Sequence, residues 1–195
     1  MNRNLPAQFL AIALVLMQPC CLRASSQKEY KVKDGSRVVI LPIGKPPGHD
    51  DSESRIEFYS SQNQMLCALD YSSHDGEHGF GVVKAAWTPD NNYFVFSLTS
   101  SGGHQPWHTP IYFYSVRNSQ IRSLEKLVEL AGISNGNFGL EAPNTVVLTE
   151  VVVADPPALV KLALDKLLDK HRSQPALRCG DGKTFGVETA IRRTE

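Results

Sequence analysis

The sequence predicts a mainly β domain: an antiparallel meander sheet, blade-like or a small sandwich, with one short helix and a packed C-terminal helix. Three observations carry this. Residues 82–97 read as two strands joined by a specified turn. Short runs of β-branched and aromatic residues recur between clusters of Gly, Pro, Asn, Asp and Ser. A single long stretch near the C-terminus has helical apolar spacing.

In chain order, Glu29 to Val32 and Arg37 to Ile43 are strand candidates around Lys33-Asp34-Gly35-Ser36, where Asp-Gly signals a tight hairpin. The segment Gly44 to Ser54 holds too much Pro, Gly and charge for regular structure and reads as an exposed loop. Arg55 to Ser60, the turn Ser61-Gln62-Asn63-Gln64, and Met65 to Tyr71 form a second hairpin. The third is Val82 to Ser97. In it Pro89 presets φ at the second turn position, Asp90 bonds back to the turn backbone, and Asn91 accepts a left-handed conformation. Beyond the turn, Tyr93, Val95 and Ser97 face one way and Phe94, Phe96 and Leu98 the other. After a Gly/Pro/His loop, Ile111 to Val116, the turn at 117–120 and Ile121 complete a four-strand meander. A faint echo links Ile56-Glu57-Phe58-Tyr59-Ser60 to Ile111-Tyr112-Phe113-Tyr114-Ser115, as in a duplicated hairpin.

Ser123 caps a short helix over Leu124 to Ala131 that Gly132 ends. Thr145 to Val153 is a strand whose near-continuous Val content predicts burial on both faces. Asp155-Pro156-Pro157 then opens a helix to about Lys170. Its wheel places Val160, Ala163, Leu164, Leu167 and Leu168 on one stripe and leaves Leu162 as the single apolar residue on the other side. From Ser173 to Glu195 the expectation is a loosely held tail, so the folded domain is 27–172.

The chain has 195 residues, 42% of them apolar, enough for one core. Lys and Arg equal Asp and Glu, so no electrostatic footprint for nucleic acid is present. Arg3, the apolar run Phe9 to Met17 and the polar, small segment Gln18 to Ser26 match a secretory signal over residues 1–26, with cleavage before Gln27 or after Ala24. That run is shorter than the roughly 20 residues of a membrane span, so no integral span is expected in the mature chain. The expected location is periplasmic or secreted, an uncleaved N-terminal anchor being the alternative. Met17-Gln18-Pro19 before Cys20 do not form a lipobox. Removing the signal leaves Cys67 and Cys179, either a disulfide or two buried thiols.

Ala86-Trp87-Thr88-Pro89-Asp90-Asn91-Asn92-Tyr93-Phe94-Val95-Phe96, followed by Ile111 to Val116, resembles a repeat of the TolB-like β-propeller type. That blade has Trp-Ser/Thr-Pro-Asp-Gly between its first two strands and an Ile-Tyr-like third strand; Asn91 stands in place of the Gly. The resemblance covers about a fifth of the chain, residues 82–116. One copy is far short of the roughly 4 to 8 blades of a ring. It therefore implies a blade-like sheet in a stand-alone domain, of the kind found in exported bacterial proteins with protein-binding roles.

Four of the six histidines sit in two loops, His74-Asp75-Gly76-Glu77-His78 and His104-Gln105-Pro106-Trp107-His108. In a meander, the loop entering the Val82 strand and the loop leaving the Tyr93 strand share one end of the sheet, opposite the Pro89 turn. His74, His78, His104 and His108, with Asp75 and Glu77, are thus candidate ligands for a transition metal such as Zn, Ni, Cu or Fe. The competing reading is polar loop residues that fix backbone groups. Trp107, Tyr112 and Tyr114, with Trp87, form a candidate platform for sugar or a partner chain, against which stands ordinary aromatic core. Ser100-Ser101-Gly102-Gly103-His104 lacks a nucleophile elbow and reads as a turn. Walker, dinucleotide and Cys-x-x-Cys patterns are absent from the sequence. The functional expectation is an exported, non-enzymatic binding or envelope-associated module with a protein or glycan partner and no resident cofactor. A metal-dependent enzyme at the histidine loops and a carbohydrate-binding surface are the alternatives.

Overall fold

The computed structural model describes residues 27–44, 53–76, 78–102, 109–128, 133–150, 159–186 and 189. The expected signal segment, most of the Gly44 to Ser54 loop, and the Asp155-Pro156-Pro157 helix start lie outside them.

The chain is mainly β, with three sheets and two short helices among the described residues. Sheet A is built from β1 (Lys28–Lys31), β2 (Arg37–Ile43), β3 (Glu53–Tyr59) and β4 (Met65–Asp70), an antiparallel meander. Sheet B repeats the plan with β5 (Phe80–Trp87), β6 (Tyr93–Ser100), β7 (Ile111–Ser115) and β8 (Gln120–Ser123). The echoing segments at 56 and 111 therefore occupy the same place, the third strand of each meander. Helix α1 (Leu124–Val128) follows, and then sheet C, formed by β9 (Ile133–Glu141), β10 (Thr145–Glu150) and β11 (Leu159–Ala163).

Turn chemistry follows the residues. Asn91 donates its N–H to the Thr88 carbonyl at 2.8 Å and has φ 60°; Asp90 Oδ1 accepts from the Thr88 hydroxyl at 2.6 Å and from the Asn92 N–H at 3.1 Å. In the first hairpin Gly35 donates to Val32 at 3.1 Å and Asp34 accepts from Ser36 N–H at 2.8 Å. Asn63, with φ 64°, makes the corresponding bend between β3 and β4.

Alternation on β6 decides the layering. Phe94, Phe96 and Leu98 point into a core shared with Val38, Ile40, Ile56, Phe58 and Leu69 of sheet A. Tyr93 and Val95 point the other way, into a second core with Phe113, Phe138, Val146 and Leu148. Sheet B is thus the middle of three layers, A on one face and C on the other. Phe94 meets Tyr30, Trp87, Phe58 and Phe96 at ring separations of 5.3, 5.2, 6.4 and 6.2 Å, and each such pair adds about 0.5–1.5 kcal/mol beyond burial. The Trp87 indole N–H donates to the Tyr30 carbonyl at 3.0 Å, tying β5 to β1. Gly136 brings sheet C close: a Cβ there would lie 3.2 Å from the Ser97 hydroxyl and 3.3 Å from Thr109 Cβ.

Three expectations need correction. Residues 159–163 form a strand paired with β10, not the first turns of a helix; the helix α2 spans only Leu164–Lys170. Val160 and Leu162, two apart, both pack on the second core, which removes the misfit of Leu162 on a helical wheel. On β10, Val146 and Leu148 are buried while Thr145 and Val147 are half-buried, because sheet C covers a core with one face only. The stretch after Ser173 is not a loose tail where it is described. It supplies β12 (Leu177–Arg178), paired with β8, and β13 (Lys183–Gly186), paired in parallel with β4.

Between these two strands Cys179 bonds to Cys67 on β4, with Cα atoms 5.0 Å apart and a sequence separation of 112. Backbone bonds from Cys179 N–H to Ser119 and from Gly180 and Gly182 N–H to Leu66 complete a strap across the outer edges of sheets A and B.

Candidate functional site

The loops at 71–79 and after 100 leave one end of sheet B, as Phe80 pairs with Ser100 there while Trp87 pairs with Phe94 at the other end. Their roots touch. Ser101 N–H donates to the Gly79 carbonyl at 2.9 Å, and Gly79 N–H lies 3.0 Å from the Ser101 hydroxyl. The shared border expected for the two histidine loops is therefore present at their bases.

At its centre is a residue that sequence reasoning missed. Glu53, read as part of an exposed loop, is the first residue of β3 and only 2% exposed. Its Oε1 accepts from the Ser73 hydroxyl at 2.5 Å, the Gly79 N–H at 2.7 Å and the Ser101 hydroxyl at 2.8 Å; Oε2 accepts from the Ser73 N–H at 2.6 Å. Burial alone would push the Glu53 carboxyl up. The bonds from Ser73, Ser101 and Gly79 outweigh it and hold the group below the ordinary carboxylate range. The sequence signal was weak: an acidic residue next to a strand resembles loop charge until its partners, 20, 26 and 48 residues away, are known.

Gly79 is needed for this approach. A Cβ at that position would stand 2.3 Å from the Tyr71 carbonyl oxygen and 2.4 Å from Glu53 Cδ. Tyr71 accepts from Phe80 N–H at 2.9 Å and donates its own N–H to Ser54 at 3.0 Å, so the loop from 71 to 79 is pinned at both ends.

Ser73 Oγ also lies 2.9 Å from Asp75 Oδ1 and accepts the His78 N–H at 3.1 Å. Asp75 Oδ2 in turn pairs with His78 Nδ1 at 2.5 Å on the exposed surface. The Nδ1 contact with Asp75 fixes the exposed His78 ring at this border. Ser73 couples the buried carboxylate to this pair through one hydroxyl, whose single proton serves one carboxylate at a time. Neither Ser73 nor Ser101 is bonded to an imidazole nitrogen in the described residues. Their hydroxyls serve carboxylates, and Ser100 Oγ donates to the Gly102 carbonyl at 3.0 Å, the geometry of a turn.

Of the proposed metal ligands, Asp75 and His78 are brought together and His74 is exposed on the same loop. Glu77, His104 and His108 lie outside the described residues. Among the described residues no group of three His, Cys, Asp or Glu is placed as a metal site. Two residues of the expected aromatic platform are not at the surface. Tyr112 and Tyr114 are each 3% exposed in the core between sheets A and B, because β7 is a central strand covered on both faces. Trp87 is half-buried against Phe94, and Trp107 lies outside the described residues. No helix of the described residues is long and apolar enough to cross a membrane.

No known protein family, curated protein or solved structure matches this chain.

Proposed function

We propose that this chain is an exported, non-enzymatic binding module that presents the loops at 71–79 and 101–110 on a disulfide-stapled β scaffold. The observation that carries it is the Glu53 knot. The deeply buried Glu53 carboxylate at the loop border accepts four hydrogen bonds that hold loop bases, and those bonds keep it ionised. A carboxylate so engaged positions the loops; it neither gives nor takes a proton readily near neutral pH. Export is supported by the Cys67–Cys179 cross-link, of a kind that persists in oxidising compartments, together with the apolar run at 9–17. The resemblance of residues 82–116 to a repeat found in exported bacterial proteins with protein-binding roles is a further support for the reading.

The test uses the full chain expressed with its own N-terminus. Mass analysis of the exported product is expected to show cleavage after Ala24 or Ser26 and Cys67 joined to Cys179. A photo-crosslinking residue at His78 is expected to yield a discrete protein or glycan adduct, while one at Gln62, in the turn at the far end of sheet A, yields none. An intracellular chain with both thiols free would overturn the export reading, and equal adducts from positions 78 and 62 would overturn the binding rim.

A further inference from the structure

At the opposite end of sheet B from the loop border, a cleft of about 290 Å³ is lined by Arg117, Arg122, Arg172 and Arg178, with Asn118 and Asp169. The arginines come from the β7–β8 turn, from β8, from beyond the end of α2 and from β12, so only the fold assembles them. Arg122 is 3% exposed. Its Nη1 donates to the His171 carbonyl at 2.9 Å and Nη2 to Gln120 Oε1 at 3.3 Å, but Nε, fully buried, has no acceptor among the described residues. Burial and the nearby charge of Arg178 both weaken the hold of Arg122 on its proton. The one carboxylate lining the cleft, Asp169, lies 3.6 Å from Arg172 in an exposed pair. Four guanidinium groups against one carboxylate leave the cleft with an excess of positive charge and of N–H donors that an oxyanion would balance, while the buried Arg122 is held in place by its bonds to His171 and Gln120.

The cleft continues into a second of about 500 Å³ that shares Arg117, Asn118 and Asp169 and adds Asn92, Tyr93, Ser115 and Asp165. These are hydroxyl, amide and carboxylate groups, suited to a hydroxyl-rich body beside the anion.

We propose that the paired clefts bind a small phosphorylated sugar or polyol, with the phosphoryl group held by the arginines and the hydroxyls directed toward Asn92, Ser115 and Asp165. Planar guanidinium groups match phosphate oxygens two at a time, and the adjoining cleft distinguishes a phosphate ester from bare phosphate. This site is separate from the loop border, so either can fail alone.

The test is titration calorimetry of the mature, oxidised chain at low ionic strength with inorganic phosphate, glucose 6-phosphate and glucose. Glucose 6-phosphate is expected to bind about 10-fold or more tightly than phosphate, and glucose not at all. In an Arg172→Gln, Arg178→Gln double variant, chosen because both side chains are exposed and the fold does not depend on them, affinity is expected to fall about 10-fold or more with an unchanged melting temperature. Added salt is expected to weaken binding. Absence of binding by either phosphate compound at about 10 mM, or a double variant that binds like the parent, would overturn the site. Equal affinity for phosphate and glucose 6-phosphate, or for glucose and its phosphate, would overturn the ligand class.

Discussion

Removing the Cys67–Cys179 bond by a Cys67→Ala, Cys179→Ala double substitution is expected to destabilise the chain more than any single surface change. The cross-link closes a loop of 112 residues. In the chain-entropy treatment, a loop of this size restricts the unfolded chain by about 5 kcal/mol, and measured losses for native disulfides run from about 2 to 5 kcal/mol. A domain of this size has about 5–15 kcal/mol in total, so the expected loss is a large part of its stability. At about 2–4 °C per kcal/mol it corresponds to a fall in melting temperature of about 4–20 °C. Urea unfolding of the oxidised chain, the reduced chain and the variant is the assay. Both uncrosslinked forms are expected to show a lower midpoint and a steeper dependence on urea, since an unfolded chain without the bridge exposes more surface. If reduction leaves midpoint and slope unchanged, the bond does not restrain the unfolded chain and the reasoning fails.

Glu53 accepts its bonds as a carboxylate, and its pKa is lowered from the ordinary value of 4.5. The stabilisation is therefore complete above that value and is lost as pH falls through the lower folded-state pKa. Glu53→Gln should cost about 2–3 kcal/mol at pH 7, with the gap to the parent narrowing in melting curves taken below about pH 4; a constant gap would refute this. Gly79→Ala should cost about 3 kcal/mol, because its Cβ meets the Tyr71 carbonyl and Glu53 at 2.3–2.4 Å; a variant as stable as the parent in urea would show that the approach is not tight. Asn144, buried, donates through Nδ2 to Asp90 Oδ2 and Asp165 Oδ2, each at 2.8 Å, and so joins the sheet B turn to the start of α2. Asn144→Ala removes the donor that bridges two carboxylates and should cost about 2–3 kcal/mol in thermal melts, while a change below about 0.5 kcal/mol would count against that bridge. Phe94→Ala should cost about 3–5 kcal/mol in urea, since it empties the centre of the aromatic cluster, and a loss under about 1 kcal/mol would mean that the cluster closes around the gap.

What could be read from the residues was local. The Asp34-Gly35 and Pro89-Asp90-Asn91 turns, and the alternation from Tyr93 to Leu98, rest on neighbours within a few positions, and the structure keeps them. β9 escaped because Asn135, Gly136, Asn137 and Gly139 depress strand propensity. It pairs with β10 all the same, and Gly136 lets it lie close on Ser97 and Thr109. Leu159 to Ala163 carries apolar residues at both i+2 and i+4 spacing, so period alone does not separate strand from helix; pairing with β10 does. β12 and β13 are two and four residues long, and their partners lie 56 and 116 positions earlier (Leu177 with Ile121, Lys183 with Cys67). At the loop border the histidine clusters were visible as text. Glu53 and the arginine cleft were not, since their members meet only after sheets A, B and C have stacked.

Among the described residues, the strap that closes both sheets is also the strand material made after all the rest. Until residues 177–186 have been delivered, β4 and β8 each present a bare margin of backbone donors and acceptors, ready to pair with a neighbouring chain. A stop codon shortly after α2 would thus yield a polypeptide with nearly all of its interior and two adhesive rims. Its expected fate is association with its own kind, which makes ten residues near the C-terminus a safeguard of solubility for the hundred and more before them.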